Sequence, residues 1–544
     1  MIPTGQFKED TLPNPYFSNI EEIERLVEEE VQREEKEFKR EGDRFEAIPS
    51  ADLLQALKDN QDGDARLFIR LMRDRYCFDH SIDQWLRWTG HYWEEDLIGN
   101  AVADLDSVAR VYGVEAARQA ILRQEAITSQ RKQDAQDAEQ LERELFRRIH
   151  DLRTLSRKRD VLYLSARGSD SLGIRGDEWD RDPWLLACNN GVIDLRTGNF
   201  SPGRPEDFIK TVSPTEWMNI DKEAPEWEKF LEGIFNGNLE LVEYIQRLLG
   251  YSITGSTREH ILPILYGEGR NGKGTLLETL KYILGSSASP IPAEMLVSEA
   301  RLRSSAGPSP DIMLLRGRRL VWASETDEGR RLDIGKVKWL TGSDTLVGRP
   351  PHGKHMVEFE PTHTLFLLTN HKPVIPPHEF AMWERIHLIP FDLSYVDEPK
   401  RPNERKRDPD LPEKLREESS GILAWLIRGC LEWQRVGLNP PVIVKAATSK
   451  YKEDEDILGH FLEERTYTEL TARVPAGVLY NAYKRWCEDY GYSPLGGRKF
   501  GERMGERFKK RAGAKGNFYE GIALIPDGQV EVFGDSNGYS NLIV

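Results

Sequence analysis

Cysteine is scarce: the four in 544 residues, Cys77, Cys188, Cys430 and Cys487, lie too far apart for a zinc knuckle or a disulfide framework. Such usage fits a reducing cytoplasm. No uninterrupted apolar run approaches the ~20 residues of a membrane-spanning helix, and the opening MIPTGQFKED holds no signal-peptide hydrophobic region. Internal repeats and extended low-complexity stretches are also lacking, which sets aside repeat architectures. Positive charge is in deficit, with 75 Lys and Arg against 91 Asp and Glu, a net of −16. That balance argues against a protein coated in nucleic acid. A local basic channel for DNA stays open, because steering depends on where charges sit.

What is present points to α/β architecture around residues 261–284, where ILPILY, GEGRNGKGT and LLETLKYIL follow one another. The apolar run ending at Tyr266 reads as a buried strand, and Leu276 to Leu284 as an amphipathic helix. Between them, Gly267, Gly269, Asn271, Gly272, Lys273, Gly274 and Thr275 form a candidate phosphate-binding loop. Glycines let successive backbone N–H groups curl around a polyphosphate, the helix N-terminus adds favourable partial charge, and Lys273 reaches the β- and γ-phosphates. The residue after Lys273, usually a Ser or Thr that holds Mg²⁺, is Gly274, so Thr275 becomes the candidate hydroxyl.

The length requires roughly three or four domains. Residues 1–59 read as a charged helical arm: residues 1–46 carry 14 acidic and 7 basic side chains. Residues 60–215 read as an accessory domain. It contains an aromatic hairpin around Thr89-Gly90, a long helix or helical hairpin with Leu141, Leu145, Ile149 and Leu152 on one face, and strands within WLLACNNGVIDLRTGNF. Residues 216–440 hold the phosphate loop, and Pro440-Pro441 marks the expected boundary. A compact unit over 456–530 and a tail over 531–544 complete the chain.

A phosphate loop needs an acid at the end of a neighbouring strand to handle Mg²⁺ and the attacking water. RRLVWASETDE supplies Glu325 after the strand Leu320 to Ala323, with Asp327 in reserve. TLFLLTN ends in Asn370, whose amide can sense a γ-phosphate. In AMWERIHLIPF, Arg385 is a candidate for neutralising transition-state charge in a neighbouring subunit's site.

The succession GEGRNGKGT, WASETDEGRRLD, KVKWLTGSDTLVGR, TLFLLTNHKPVI and WERIHLIPF resembles the superfamily 3 helicases, specifically the helicase part of phage, plasmid and poxvirus-type primase-helicases. The resemblance implies an AAA+ type ATPase core, a ring of six copies, ATP and Mg²⁺ as cofactors, and movement along single-stranded DNA. Lys273 would then bind phosphate and Glu325 would stand in the Walker B position, with Mg²⁺ held through Thr275 and Glu325. Asn370 would be the first sensor and Arg385 the finger supplied in trans. A further family motif matches Lys338, Gly342, Asp344 and Arg349. Ser324 departs from the pattern, standing where many such ATPases place a metal-binding Asp. Relatives often carry a primase domain ahead of the helicase. The 60 or so residues before the resemblance suggest instead a separate primase or polymerase as partner.

Two stretches suggest DNA contacts. GRPPHGKHMVEF reads as two short strands around a turn, with His352, Lys354 and His355 at a tip suited to phosphate contacts in a ring channel. Near the C-terminus a helix, a basic helix and a ribbon follow in winged-helix order. Residues 498–515 carry eight Lys or Arg and two Glu, and Arg498, Lys499, Arg503, Arg507, Lys509 and Lys510 are the candidate contacts to duplex or origin DNA. The expected function is an ATP-driven, ring-forming DNA helicase of a phage, plasmid or other mobile element. The competing reading is an ATP-regulated origin-binding initiator, or an AAA+ remodeller without unwinding activity.

Overall fold

Five short apolar runs in the middle of the chain make one parallel sheet. They are β1 (Leu262–Tyr266), β2 (Ala288–Ile291), β3 (Leu320–Glu325), β4 (Thr364–Thr369) and β5 (Ile386–Pro390). The structure is a computed structural model that describes residues 48–298, 309–325, 330–349, 356–513 and 516–525, with only the backbone of Glu325. The arm before residue 48, Asp327, His352, Lys354, His355 and the tail over 531–544 lie outside the described residues.

The strands lie in the order β2-β3-β4-β1-β5, every neighbouring pair parallel. Alternation along them builds two cores. Leu265, Leu320, Trp322, Phe366, Leu368 and Ile389 face one layer, and Leu262, Ile264, Val321, Ala323, Leu365, Leu367 and Leu388 the other. Burial on both faces accounts for strands such as TLFLLT that are apolar with hardly a break.

The first layer is helical. It comprises α1 (Pro225–Ile234), α2 (Leu239–Ser252), α3 (Lys273–Leu284) and α4 (Ser419–Val436). The Glu418 carboxylate accepts from the N–H groups of Glu226 and Trp227 at 3.1 and 3.0 Å, capping α1 from a distant part of the chain. α2 and α4 cross backbone against backbone: a Cβ on Gly250 would lie 2.1 Å from the Cys430 nitrogen.

The opposite layer includes α5 (Val442–Asp454). The break at Pro440-Pro441 therefore separates two helices without ending the core: Leu388 N donates to Thr448 Oγ1 at 3.0 Å, and Tyr451 is fully buried against the second layer. Gly437, at φ +70°, ends α4, and Pro441 stands at the N-cap of α5, whose apolar positions return to the sheet.

Ahead of this sheet stand two smaller four-stranded sheets and a helical group. Helices Asp106–Thr128 and Lys132–Leu152 form a long antiparallel hairpin. At its base the fully buried Asp64 carboxylate meets Arg148 at 2.9 Å and Arg157 at 2.6 Å, and accepts from the Tyr112 hydroxyl at 2.9 Å. Helix Ser50–Lys58 precedes residue 60 yet adds Leu53, Ala56 and Leu57 to the same core. Arg319, buried just before β3, donates to the carbonyls of Leu185 and Ile253 and so ties the second small sheet to the central one.

The last unit runs α6 (Ile457–Arg465), β6 (Thr466–Pro475), α7 (Ala476–Asp489), α8 (Gly497–Arg507), β7 (Lys510–Gly513) and β8 (Gly516–Leu524). Its strands form an antiparallel sheet in the order β6-β8-β7 around Phe461, Tyr483, Trp486, Phe500 and Tyr519.

Candidate nucleotide site and nucleic-acid surfaces

At the C-terminal edge of the sheet, Glu325 of β3 pairs with Thr369 of β4, and Thr369 pairs with Tyr266 of β1. The loop after Tyr266 curls over this row into α3, which begins at Lys273, three residues before the helix expected from the sequence. Gly272, at φ +89°, starts α3 without any side-chain cap, leaving first-turn N–H groups for a ligand to satisfy. Its geometry requires glycine twice over, since a Cβ there would come within 2.6 Å of Ile234 Cγ2. At Gly267 a Cβ would press on the Phe391 carbonyl at 2.3 Å. Asn271, buried, donates to that same carbonyl at 3.5 Å.

Lys273 is 7% exposed, and its Nζ donates to the Gly267 carbonyl and, at 3.3 Å, to Asn370 Oδ1. The structure thus brings together two residues 97 positions apart. Both acceptors are neutral. Burial therefore acts on a charge they do not compensate, and it holds the Lys273 amine down to about 8.

Gly269 and Gly274 are different, since a Cβ on either would meet nothing within 4 Å. Thr275 sits half-buried one place further on, in the first turn of α3. Ser324 is exposed near the end of β3, beside Leu368 of β4. These features fit a polyphosphate: a tight glycine cradle, an uncapped helix start and a buried amine under it.

Arg385 is not at this edge. Its carbonyl accepts from Leu262 N, the first residue of β1, so it lies at the opposite end of the strands, roughly 15 Å away at ~3.3 Å per residue. Its guanidinium donates to the Ala381 carbonyl at 2.6 Å, while its Nε is buried with no partner among the described residues. Lys338, on the short helix Ile334–Leu340, pairs with Glu379 at 2.8 Å, which holds that carboxyl below its ordinary range. Gly342 follows that helix with Asp344 exposed, and Arg349 N donates to Ser309 Oγ at 2.9 Å. Strands Leu346–Gly348 and Val357–Phe359 pair antiparallel as the stem of a hairpin, with its tip outside the described residues.

Sequence reasoning gave no sign of the clasp on the loop after Asn370. Lys372 pairs with Asp454 at 2.9 Å, Glu455 accepts from Ile375 N at 3.2 Å, and the Tyr451 hydroxyl donates to the Pro373 carbonyl. No motif marks these groups, because their partners are backbone atoms or lie some 80 residues away.

On α8, Phe500 and Met504 turn inward while Arg498, at 93% exposure, and Lys499 face outward. Lys509 and Lys510 are exposed as well. Arg503 and Arg507 are engaged within the molecule, Arg503 with His378 and Arg507 with Asp456 at 2.6 Å.

Residues 65–236 match the family model described as D5 N terminal like, and residues 453–521 the one described as Poxvirus D5 protein-like. A protein of Acanthamoeba polyphaga mimivirus is 28% identical over 324 residues, covering 56% of this chain and 33% of its own length. One of Invertebrate iridescent virus 6 is 30% identical over 240 residues, covering 42% and 24%. One of Sputnik virophage is 23% identical over 374 residues, covering 64% and 47%. All three bear the name "Putative helicase". The matched part of the chain thus spans less than half the length of each of these relatives. The apo structure of the NrS-1 C terminal region is 11% identical, covers 82% of this chain and 95% of that one, and has a TM-score of 0.38, a likeness too distant to carry an argument. With regions matching the D5-type models on both sides of its parallel sheet, the chain resembles the helicase part of phage, plasmid and poxvirus-type primase-helicases.

Proposed function

We propose that this chain is the motor of an ATP-dependent DNA helicase of superfamily 3, with an AAA+ type core and a C-terminal winged-helix domain. The observation that carries the proposal is the Lys273 and Asn370 contact at the C-terminal edge of the sheet. Numbered along the chain, that sheet runs 5-1-4-3-2, with β4 between β1 and β3, an order that supports the AAA+ reading. The six-element order of the last unit, with α8 before the β7-β8 ribbon, supports the winged-helix reading.

Bound Mg²⁺ and ATP supply the scissile phosphoanhydride and its charge-neutralising cation. Gly267 to Thr275 would hold the phosphates through backbone N–H groups, and the Lys273 ammonium, now on the Gly267 and Asn370 oxygens, would neutralise their charge. Thr275 and Glu325 are the candidate metal-holding groups. Asn370, which Lys273 contacts, would be the residue that orients the attacking water. Arg385, at the far end of the sheet, serves a neighbouring copy in a ring of six, the arrangement that gives a solvent-side guanidinium a substrate. His352, Lys354 and His355, which fall in sequence between the paired strands Leu346–Gly348 and Val357–Phe359, are the proposed contacts to single-stranded DNA. Arg498, Lys499, Lys509 and Lys510 face duplex DNA.

The test is unwinding of a forked duplex with ATP. The proposal expects displacement by the wild type and none by Lys273→Ala. Tight duplex binding without displacement would favour the origin-binding initiator instead.

A further inference from the structure

The accessory region holds a cleft of about 790 Å³ that none of the expected DNA contacts touches. One wall is the helix Asn60–Met72 with Arg73 just beyond it, and the other is the end of Leu155–Ser165 with the turn to Ser171. Arg66, Arg70 and Arg73 recur at helical spacing on the first wall, and Arg167 faces them from the second. Ala65, Ile69 and Leu164 give the cleft an apolar lining. Four arginines, Asp62 and Asp170 line it, and Asp52 and Asp59 pair with two of the arginines from outside the lining.

Each first-wall arginine has an acidic partner that gives little hold. Arg70 meets Asp52 at 3.2 Å and Arg73 meets Asp170 at 2.9 Å, with Asp170 93% exposed, and Arg66 meets Asp59. Exposed pairs of this kind contribute about 0–1 kcal/mol, so a phosphate competes with them readily. Arg167 donates to the Tyr163 carbonyl at 3.1 Å, and its guanidinium lies 3.8 Å from the centroid of the ring of Tyr163, a residue 59% exposed. Tyr163 lies outside the lining and meets the cleft through Arg167, and a stacked Arg and Tyr pair next to guanidiniums is a combination that holds unpaired bases and their backbone together.

We infer that this cleft is a second binding site for single-stranded nucleic acid, with Arg66, Arg70 and Arg73 on successive phosphates and the Tyr163 and Arg167 pair under a base. The inference rests on the DNA-motor reading for its choice of ligand, yet it stands on a separate surface and is measured without ATP.

The experiment uses the full chain and a bromodeoxyuridine-substituted oligonucleotide, with crosslinked peptides mapped after irradiation. The expected crosslink is at Tyr163. Arg70→Ala with Arg73→Ala should lose it, weaken binding about tenfold, and make the dependence of log affinity on log salt shallower by about 1.4, the share of two single-strand phosphate contacts. Asp170→Ala frees Arg73 and should tighten binding two- to threefold, an effect that misfolding does not produce. Crosslinks confined to other peptides, unchanged binding in the double variant, or displacement from Tyr163 by equimolar free dNTP would overturn the inference. A protein that crosslinks at Tyr163 but never unwinds a fork keeps the cleft and loses the motor. The reverse result loses only the cleft.

Discussion

A lysine amine held down to about 8 by burial has a measurable consequence. In the free protein Lys273 gives up its proton as pH passes 8, whereas phosphate favours the charged form. ATP binding at pH 8.5 should therefore take up a proton, and affinity should fall as pH rises through that region. Calorimetry in two buffers of different ionisation enthalpy reads this directly, and identical heats would contradict it. Gly274 offers a second test at the same scale. Thr275→Ala should raise the Mg²⁺ needed for half-maximal turnover about tenfold. Adding Gly274→Ser should restore it, because a Cβ there meets nothing within 4 Å. Lys273, Asn370 and the glycines were legible in sequence because phosphate chemistry restricts residue types over short stretches. The inward turn of Arg503 toward His378 was not, since a basic helix shows its composition but not which of its faces is covered.

Among elements, the parallel strands were legible as apolar runs, and the break at Pro440-Pro441 as a break. What followed the break was less so: α5 carries only Val444 and Tyr451 fully buried, too sparse a pattern to tell sheet packing from a linker. Its clasp on the loop after Asn370 ends in Glu455, whose carboxyl burial raises to about 7. A folded-state value raised above 4.5 means stability present at low pH and lost as pH rises through 7. Glu455→Gln should flatten that part of the thermal stability profile between pH 4.5 and 7.5, and an unchanged slope would exclude the group as its source. In the accessory region the Asp64 cluster was invisible in sequence, because an acid pairing with arginines some 84 and 93 residues away leaves no local pattern. Asp64→Ala leaves two part-buried guanidiniums uncompensated and should destabilise this unit by about 3–5 kcal/mol, seen as an early transition in a thermal melt.

At the scale of the whole molecule, the proposed motor needs a neighbouring copy, because Arg385 lies at the end of the strands opposite Lys273 and Asn370. Mixing Arg385→Ala into wild-type protein should depress turnover more than dilution does. Strictly proportional loss would contradict the trans role. The ordered motifs made the motor reading legible: four follow or span strands of the parallel sheet, and the remaining one runs through the short helix Ile334–Leu340. The Arg-lined cleft was not legible, since its walls are some 90 residues apart and share no motif. The most direct measurement is the rate of ATP hydrolysis with and without single-stranded DNA, for wild type and Lys273→Ala. A DNA-driven motor predicts turnover that rises several-fold with DNA and disappears in the variant. Turnover indifferent to DNA, or surviving the loss of Lys273, would contradict it.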